Sequence, residues 1–154
     1  MLSHLEPYLL APSALTPTAL LERAALIAET PSLLDALAAD PTRPVRVRHT
    51  PLYDAWLLPW QPGTATELHA HDGAHGAYAA ISGVFRETIA SSSAVRERLV
   101  LPGERVAFRP EYTHRLAVVA GGPAVTLHLS SPPRPSGPCT PAFAVTDRTL
   151  VTTA

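Results

Sequence analysis

From residue 44 onward this sequence leaves no stretch in which a helix has room to form. Short runs with strand character follow one another: VRVRHT, DAWLLPW, TELHAH, AYAAISG, VFRETIA, VRERLVL, RVAFR, HRLAVVA, AVTLHLS and FAVTD. Proline, glycine and serine separate them at Thr50–Pro51, Pro62–Gly63, Asp72–Gly73, Ser91 to Ser93, Pro102–Gly103 and Gly121 to Pro123. Strands of this length and spacing, without intervening helices, predict an all-β fold, an antiparallel sandwich or small barrel. Ahead of them, residues 17–39 (PTALLERAALIAETPSLLDALAA) read as two short helices. Leu20, Leu21, Ala24, Ala25 and Ile27 recur at helical spacing. Thr30 and Pro31 interrupt that run and read as the N-cap and first residue of the second helix, which Asp40–Pro41 ends. The expected organisation is a helical segment over 1–43 packed on a β-barrel over 44–154, one domain overall. The tail SSPPRPSGPCTP is expected to cross the surface as extended chain.

Composition excludes several classes. Of 154 residues, 46% are hydrophobic and 16% charged, which suits a packed interior rather than disorder. The net charge is −1 and no basic stripe carries interleaved aromatics, so nucleic acid is not an expected partner. No apolar run reaches the length of a membrane span, and the first residues lack the pattern of a signal peptide. All 12 basic residues are arginine, which removes lysine-based Schiff-base and P-loop chemistry. Asparagine is absent too, and with the abundance of alanine and proline this bias points to a GC-rich genome. The single cysteine, Cys139, cannot staple a domain; it reads as a loop thiol in a reducing cytoplasm.

Against this plain background, PGTATELHAHDGAHGAYAAISG concentrates His69, His71 and His75 within seven residues. Residues two apart on a strand share a face, so His69 and His71 can converge on one metal ion. Two more histidines, His114 in THRLAVV and His128 in TLHLS, fall in apolar strand contexts. An imidazole on such a face needs a partner, since an unpaired polar group costs roughly 2–7 kcal/mol there.

The spacing Gly63, His69, His71, Gly83 resembles the first motif of the cupins. WLLPWQPGTATELHAHDGAHGAYAAISG, HRLA and AVTLHLSSPP together resemble the cysteine dioxygenase (thiol dioxygenase) family, in its bacterial style, over about residues 45 to 133. The resemblance implies a small cupin barrel, a jelly-roll β-sandwich, holding Fe(II) through His69, His71 and His114. Three neutral imidazoles leave Fe(II) its full double charge and open positions for a thiolate and O2. Where many cupins carry a glutamate ligand, this chain has His75 and Gly76, so the resemblance implies neither an anionic ligand nor the cysteine–tyrosine crosslink of other members. The family's Ser–His–Tyr relay falls on Thr126, His128 and Ser130, and a serine hydroxyl is far shorter and less acidic than a phenol. Tyr78, facing inward if Gly76 does, either supplies the missing phenol or fills the barrel. The family arginine that binds the substrate carboxylate matches Arg46 by its offset from Trp56, with Arg48 expected on the same face; the alternative is two surface arginines. Leu58 and Trp60 are expected on the pocket wall. His75 reads as a histidine supporting the ligands or as a loop hydrogen bonder, Arg115 as structural, and His49 and His4 as surface residues.

Three functions are consistent with these residues. The first is an iron enzyme that converts a small thiol, such as cysteine or 3-mercaptopropionate, to a sulfinate with O2. The second is a metal cupin of different chemistry, because three imidazoles also suit Zn, Ni or Mn. The third is a non-catalytic cupin that binds a small molecule. Membership of either group leaves monomer and homodimer open.

Overall fold

The computed structural model describes residues 14–134, Gly137 and Val145–Thr146. His4, Cys139, half of the proline-rich tail and most of FAVTD lie outside the described residues.

The chain enters through helix α1 (Pro17–Ala28). Thr16 caps it with its side chain accepting from the Ala19 N–H at 3.2 Å, and Pro17, whose missing N–H costs nothing there, occupies the first position. One face carries Leu20, Ala24 and Ile27, all buried. The second predicted helix is instead a 3-10 turn, Leu33–Leu37, entered through Ser32 in the left-handed region (φ 62) with no side-chain cap. Thr30 does not cap it: its hydroxyl donates to the Leu26 carbonyl and closes the last turn of α1. The segment between Pro31 and Pro41 is too short to repay α-helix nucleation.

Among the described residues eight strands follow: β1 (Val45–His49), β2 (Asp54–Trp60), β3 (Thr64–Ala65), β4 (His75–Ala90), β5 (Val95–Val100), β6 (Arg105–Phe108), β7 (Thr113–Ser131) and β8 (Val145–Thr146). Pairs expected as separate strands prove continuous. AYAAISG and VFRETIA are both β4, while HRLAVVA and AVTLHLS are both β7. The two run antiparallel along their whole length, from His75↔Ser131 to Ala90↔Thr113. Gly83 does not end β4. It takes φ 81, and register shifts around Ser82 and Val84 let the strand turn a corner without breaking its pairing. The N-terminal half of β4 lies between β6 and β7, and its C-terminal half between β5 and β7. β7 is likewise shared, pairing with β2 over Ala124–Ser130 and with β3 at Ala117. The sheet thus curls into a barrel from a single set of antiparallel ladders.

Alternation then sorts the side chains. Ala55, Leu57, Ala77, Ala79, Val125, Leu127 and Leu129 point outward and pack with Leu20, Ala24, Ile27 and Leu37 of the N-terminal segment. Leu58, Trp60, Tyr78, Ala80, Phe85, Val100, Phe108, Leu116, Val118 and Ala124 point inward and fill the barrel. Among the described residues no helix is long and apolar enough to cross a membrane.

Candidate metal centre

TELHAH was expected to be a strand. None of it belongs to a strand: β3 ends at Ala65, and the segment after it is held by a few specific bonds. Thr66 exchanges bonds with Leu116, its N–H donating to the Leu116 carbonyl and its hydroxyl oxygen accepting from the Leu116 N–H. His69 and His114 exchange both backbone bonds, at 2.9 and 3.0 Å, as an isolated bridge. The His71 N–H donates to the Pro110 carbonyl. The segment forms no continuous ladder, only this isolated bridge and single bonds. It is nonetheless pinned to the start of β7, which carries the third histidine.

The consequence is a near-regular triangle of imidazoles. Ring centroids of His69, His71 and His114 lie 5.1, 4.8 and 4.9 Å apart. Their ligating nitrogens lie within 4.8 Å of one another, and no carboxylate or thiol joins them among the described residues. Each ring has its Nδ1 engaged: His69 with the Glu67 carbonyl at 2.8 Å, His71 with the Tyr112 carbonyl at 3.0 Å, and His114 with the Glu87 carboxylate at 2.9 Å. These acceptors place the proton on Nδ1 and leave Nε2 as the unprotonated nitrogen of each ring. The Nε2 atoms of His71 and His114 are 3.2 Å apart. Two nitrogens bound at about 2.1 Å to one ion stand roughly 3.0–3.4 Å apart at angles of about 90–109°, so the residues fit a metal. Burial, then the nearby His114 and His69, hold the His71 pKa down to about 3. Burial also lowers His69. Both rings are therefore neutral at pH 7 and ready to donate.

Beside the triangle is a cavity of about 10 Å³, lined by Trp56, His71, His75, Gly76, Phe108, His128 and Ser130 among others. That is room for about one water molecule. Phe108 closes it. Its ring lies 4.1 Å from that of His71 and stacks with Tyr112 at 5.2 Å. A Cβ at position 76 would collide with the Phe108 ring, so glycine there leaves the ring its place. On the other side of Phe108 and His75 a groove of about 1140 Å³ opens to solvent.

On the cavity wall a chain of bonds fixes His128. The Trp60 Nε1–H donates to Thr126 Oγ1 at 2.8 Å, and Thr126 Oγ1 lies 2.9 Å from His128 Nε2. Burial, with the three neighbouring histidines, pushes the His128 pKa well below its usual value. Ser130 lines the cavity, and its hydroxyl donates only a long bond, 3.4 Å, to the Pro132 carbonyl.

Several expected site residues fall elsewhere. Tyr78 does face inward and is fully buried, its ring stacked on His128 at 5.5 Å. Its hydroxyl, however, lies toward Glu87 without forming a regular hydrogen bond, and the residue does not line the cavity. Burial and the Glu87 charge push its pKa further up. Its ring fills the barrel beside those of His128 and His114. Arg46 is exposed, the register partner of Trp56 with its guanidinium 5.7 Å from the Trp56 ring, and it is not among the residues that line the cavity. Arg48 does not share its face. A register shift between the two pairs Arg46 with Trp56 and Arg48 with Ala55, a residue of the outer cluster. Leu58 and Trp60 sit in the barrel core, away from the cavity; the tryptophan on the wall is Trp56. His75 does line the cavity, and its buried Nδ1 has no hydrogen-bond partner among the described residues. Arg115 is structural, its Nε donating to the Thr66 carbonyl at 3.1 Å. His49 reaches back to buried Asp54.

Sequence reasoning missed Glu87, which is fully buried. It accepts from His114 Nδ1, from the Tyr112 hydroxyl at 2.7 Å and from Arg98 Nε at 2.7 Å. Burial would raise its pKa, but these partners outweigh it and hold the carboxyl at about 2. The signal was present in VFRETIA, where strand alternation puts Glu87 on the face of Phe85.

Comparison with known proteins agrees with this geometry. TT1209 from Thermus thermophilus superimposes with a TM-score of 0.55 at 21% identity, over 69% of this chain and 99% of its own. KdgF from Halomonas sp. gives 0.54 at 19%, over 60% and 80%, and BH2720 from Bacillus halodurans 0.59 at 10%, over 72% and 86%. At such identities these likenesses speak for the fold, a cupin barrel. No curated protein matches the chain. The family model for cysteine dioxygenase type I matches residues 40–139, a span that contains all three convergent imidazoles, the Thr126–His128 pair and Gly76. The chain therefore belongs to the cysteine dioxygenase type I family of cupins.

Proposed function

We propose that this protein is an iron(II)-dependent thiol dioxygenase that oxidises a small thiol, of the cysteine or 3-mercaptopropionate kind, to its sulfinate. In the overall reaction a thiol and O2 give a sulfinic acid. Both oxygen atoms become bonded to sulfur, which supplies the four electrons that O2 takes up. The observation that carries this reading is the three-imidazole centre with no carboxylate among its donors. Bound iron(II) would supply a doubly charged centre with open positions at which a thiolate and O2 can meet.

The chain supplies the rest. His69, His71 and His114 present Nε2 atoms already oriented by their Nδ1 partners. His128, held by Thr126 and through it by Trp60, presents a fixed imidazole edge to the substrate. Trp56 Nε1 and His75 Nδ1 are buried in the cavity wall without partners among the described residues, and they are the groups placed to bind the substrate's second polar end. The cavity is too small for a thiol as it stands, and Phe108, which lines both it and the outer groove, is the side chain whose displacement would open it.

Among the described residues no phenol lines the cavity, which favours a second reading, a metal cupin of different chemistry. One experiment separates the two: load the protein anaerobically with Fe(II), then follow O2 uptake and sulfinate mass with a panel of small thiols. Stoichiometric iron with thiol-dependent uptake is expected. Bound metal without uptake for any thiol would leave only the second reading.

A further inference from the structure

The three imidazoles are alike in sequence but not in what stands behind them. His69 and His71 donate their Nδ1–H to neutral backbone carbonyls. His114 alone donates to a carboxylate, that of Glu87. A buried charge is costly unless it is paired and fully bonded, and a well-packed apolar residue is often as stable in its place. Glu87 is nevertheless fully buried. It lies on β4 directly opposite Arg98 of β5 and Leu116 of β7, two positions along β7 from His114. Tyr112 connects the same parts from another side, its hydroxyl donating to Glu87 and its carbonyl accepting from His71.

We propose that Glu87 is a positioning residue for the metal: it locks His114 with its Nε2 lone pair toward the ion and sets a negative charge one imidazole away from it. A carboxylate behind a ligating imidazole raises its basicity and fixes its orientation. His114 is then the strongest donor of the three, and a centre with no anionic ligand acquires part of an anion's effect while keeping its open positions. Arg98 and Tyr112 hold the carboxylate in the plane that His114 needs.

This inference rests on the reading of the three histidines as a metal site, and its test keeps the two apart. Cobalt(II) affinity is measured on the whole protein by competition with a chelator, together with the visible spectrum of the cobalt-loaded form, for wild type and Glu87→Gln. The substitution keeps the shape and removes the charge. The expected result is cobalt binding weakened about 10–100-fold, with a shifted visible spectrum and an unchanged far-ultraviolet circular dichroism spectrum. Cobalt binding within about twofold of wild type, with the same spectrum, would overturn the role of Glu87 alone. A wild-type protein that binds no cobalt would overturn the metal site as well. Should Glu87→Gln fail to fold, nitrogen-15 NMR of His114 in the wild-type protein decides: the Nδ1–H tautomer with a strongly deshielded proton supports the proposal, and the Nε2–H tautomer overturns it.

Discussion

The two faces of the curled sheet are built from alternate residues of the same strands, yet they do different work. On β7 the outward residues are Val125, Leu127 and Leu129, and the inward ones Thr126, His128 and Ser130. On β2, Ala55 and Leu57 face α1, while Trp56 faces the cavity. The outer face is apolar and dry; it contributes stability through burial. The inner face carries His71, His114, His128, Glu87 and Thr126, all buried, with hydrogen bonds that centre on Glu87 and Thr126. A barrel of this kind can hold a polar site in its middle because the opposite side of each strand has already been given to the core.

The sharpest break of this comparison is His114→Ala, which removes one ligand from the triangle. It is expected to abolish stoichiometric metal binding and thiol-dependent O2 uptake while leaving the outer face intact, as read by metal analysis and circular dichroism. Leu127→Ala is its mirror image. Leu127 is fully buried in the outer cluster, and its truncation is expected to cost about 2–5 kcal/mol in denaturant unfolding, with metal content per folded molecule unchanged.

Gly76→Ala tests how tightly the inner face is packed. The new Cβ would meet the Phe108 ring, and a loss of about 1–3 kcal/mol is expected, relieved in the double variant with Phe108→Ala. Additive losses would show that the two side chains do not compete for the space.

Acid should weaken the inner face first. The pKa of His71 is about 3 in the folded, metal-free protein against an ordinary value near 6.5, so the unfolded chain takes the proton first as pH falls. Its contribution is fully present above about pH 6.5 and is lost progressively down to about pH 3, on the order of 1 kcal/mol between about pH 7.5 and 5.5. His69 and His128, also lowered, act in the same direction. The melting temperature of the metal-free protein should therefore fall between those pH values, and a flat profile would contradict the burial of these rings.

The mildest expected effects concern the substrate end. Trp56→Phe removes the unpartnered Nε1–H and should raise KM for the thiol about tenfold, the worth of one hydrogen bond. Arg46→Gln, on the exposed side of Trp56, should change KM by less than about threefold. The reverse order would return the substrate's anionic end to Arg46.

Much of this molecule was legible in its residues. The strand series with its Gly and Pro punctuation announced an all-β fold, and the HxH pair with two later histidines announced a metal site, because strand alternation is a local property that a sequence carries with it. Pro17 and Thr16 marked the start of α1 for the same reason. What the sequence left undetermined were relations between distant segments. That β4 and β7 each run unbroken around a corner depends on their pairing with each other; Gly83 by itself reads equally as an end or a bend. That Arg46 and Arg48 lie on different faces depends on the irregular register of β1 against β2. The Tyr78 hydroxyl points at Glu87, and the Phe108 ring occupies the space above Gly76, only because tertiary packing brings them together. The sequence by itself determined which residues share a face wherever a strand is regular, since that follows from backbone geometry. Only the tertiary structure decided which inward-facing groups meet, since a hydrogen bond such as that from His114 to Glu87, 27 positions apart, is made by the folding of the sheet and written in no single segment.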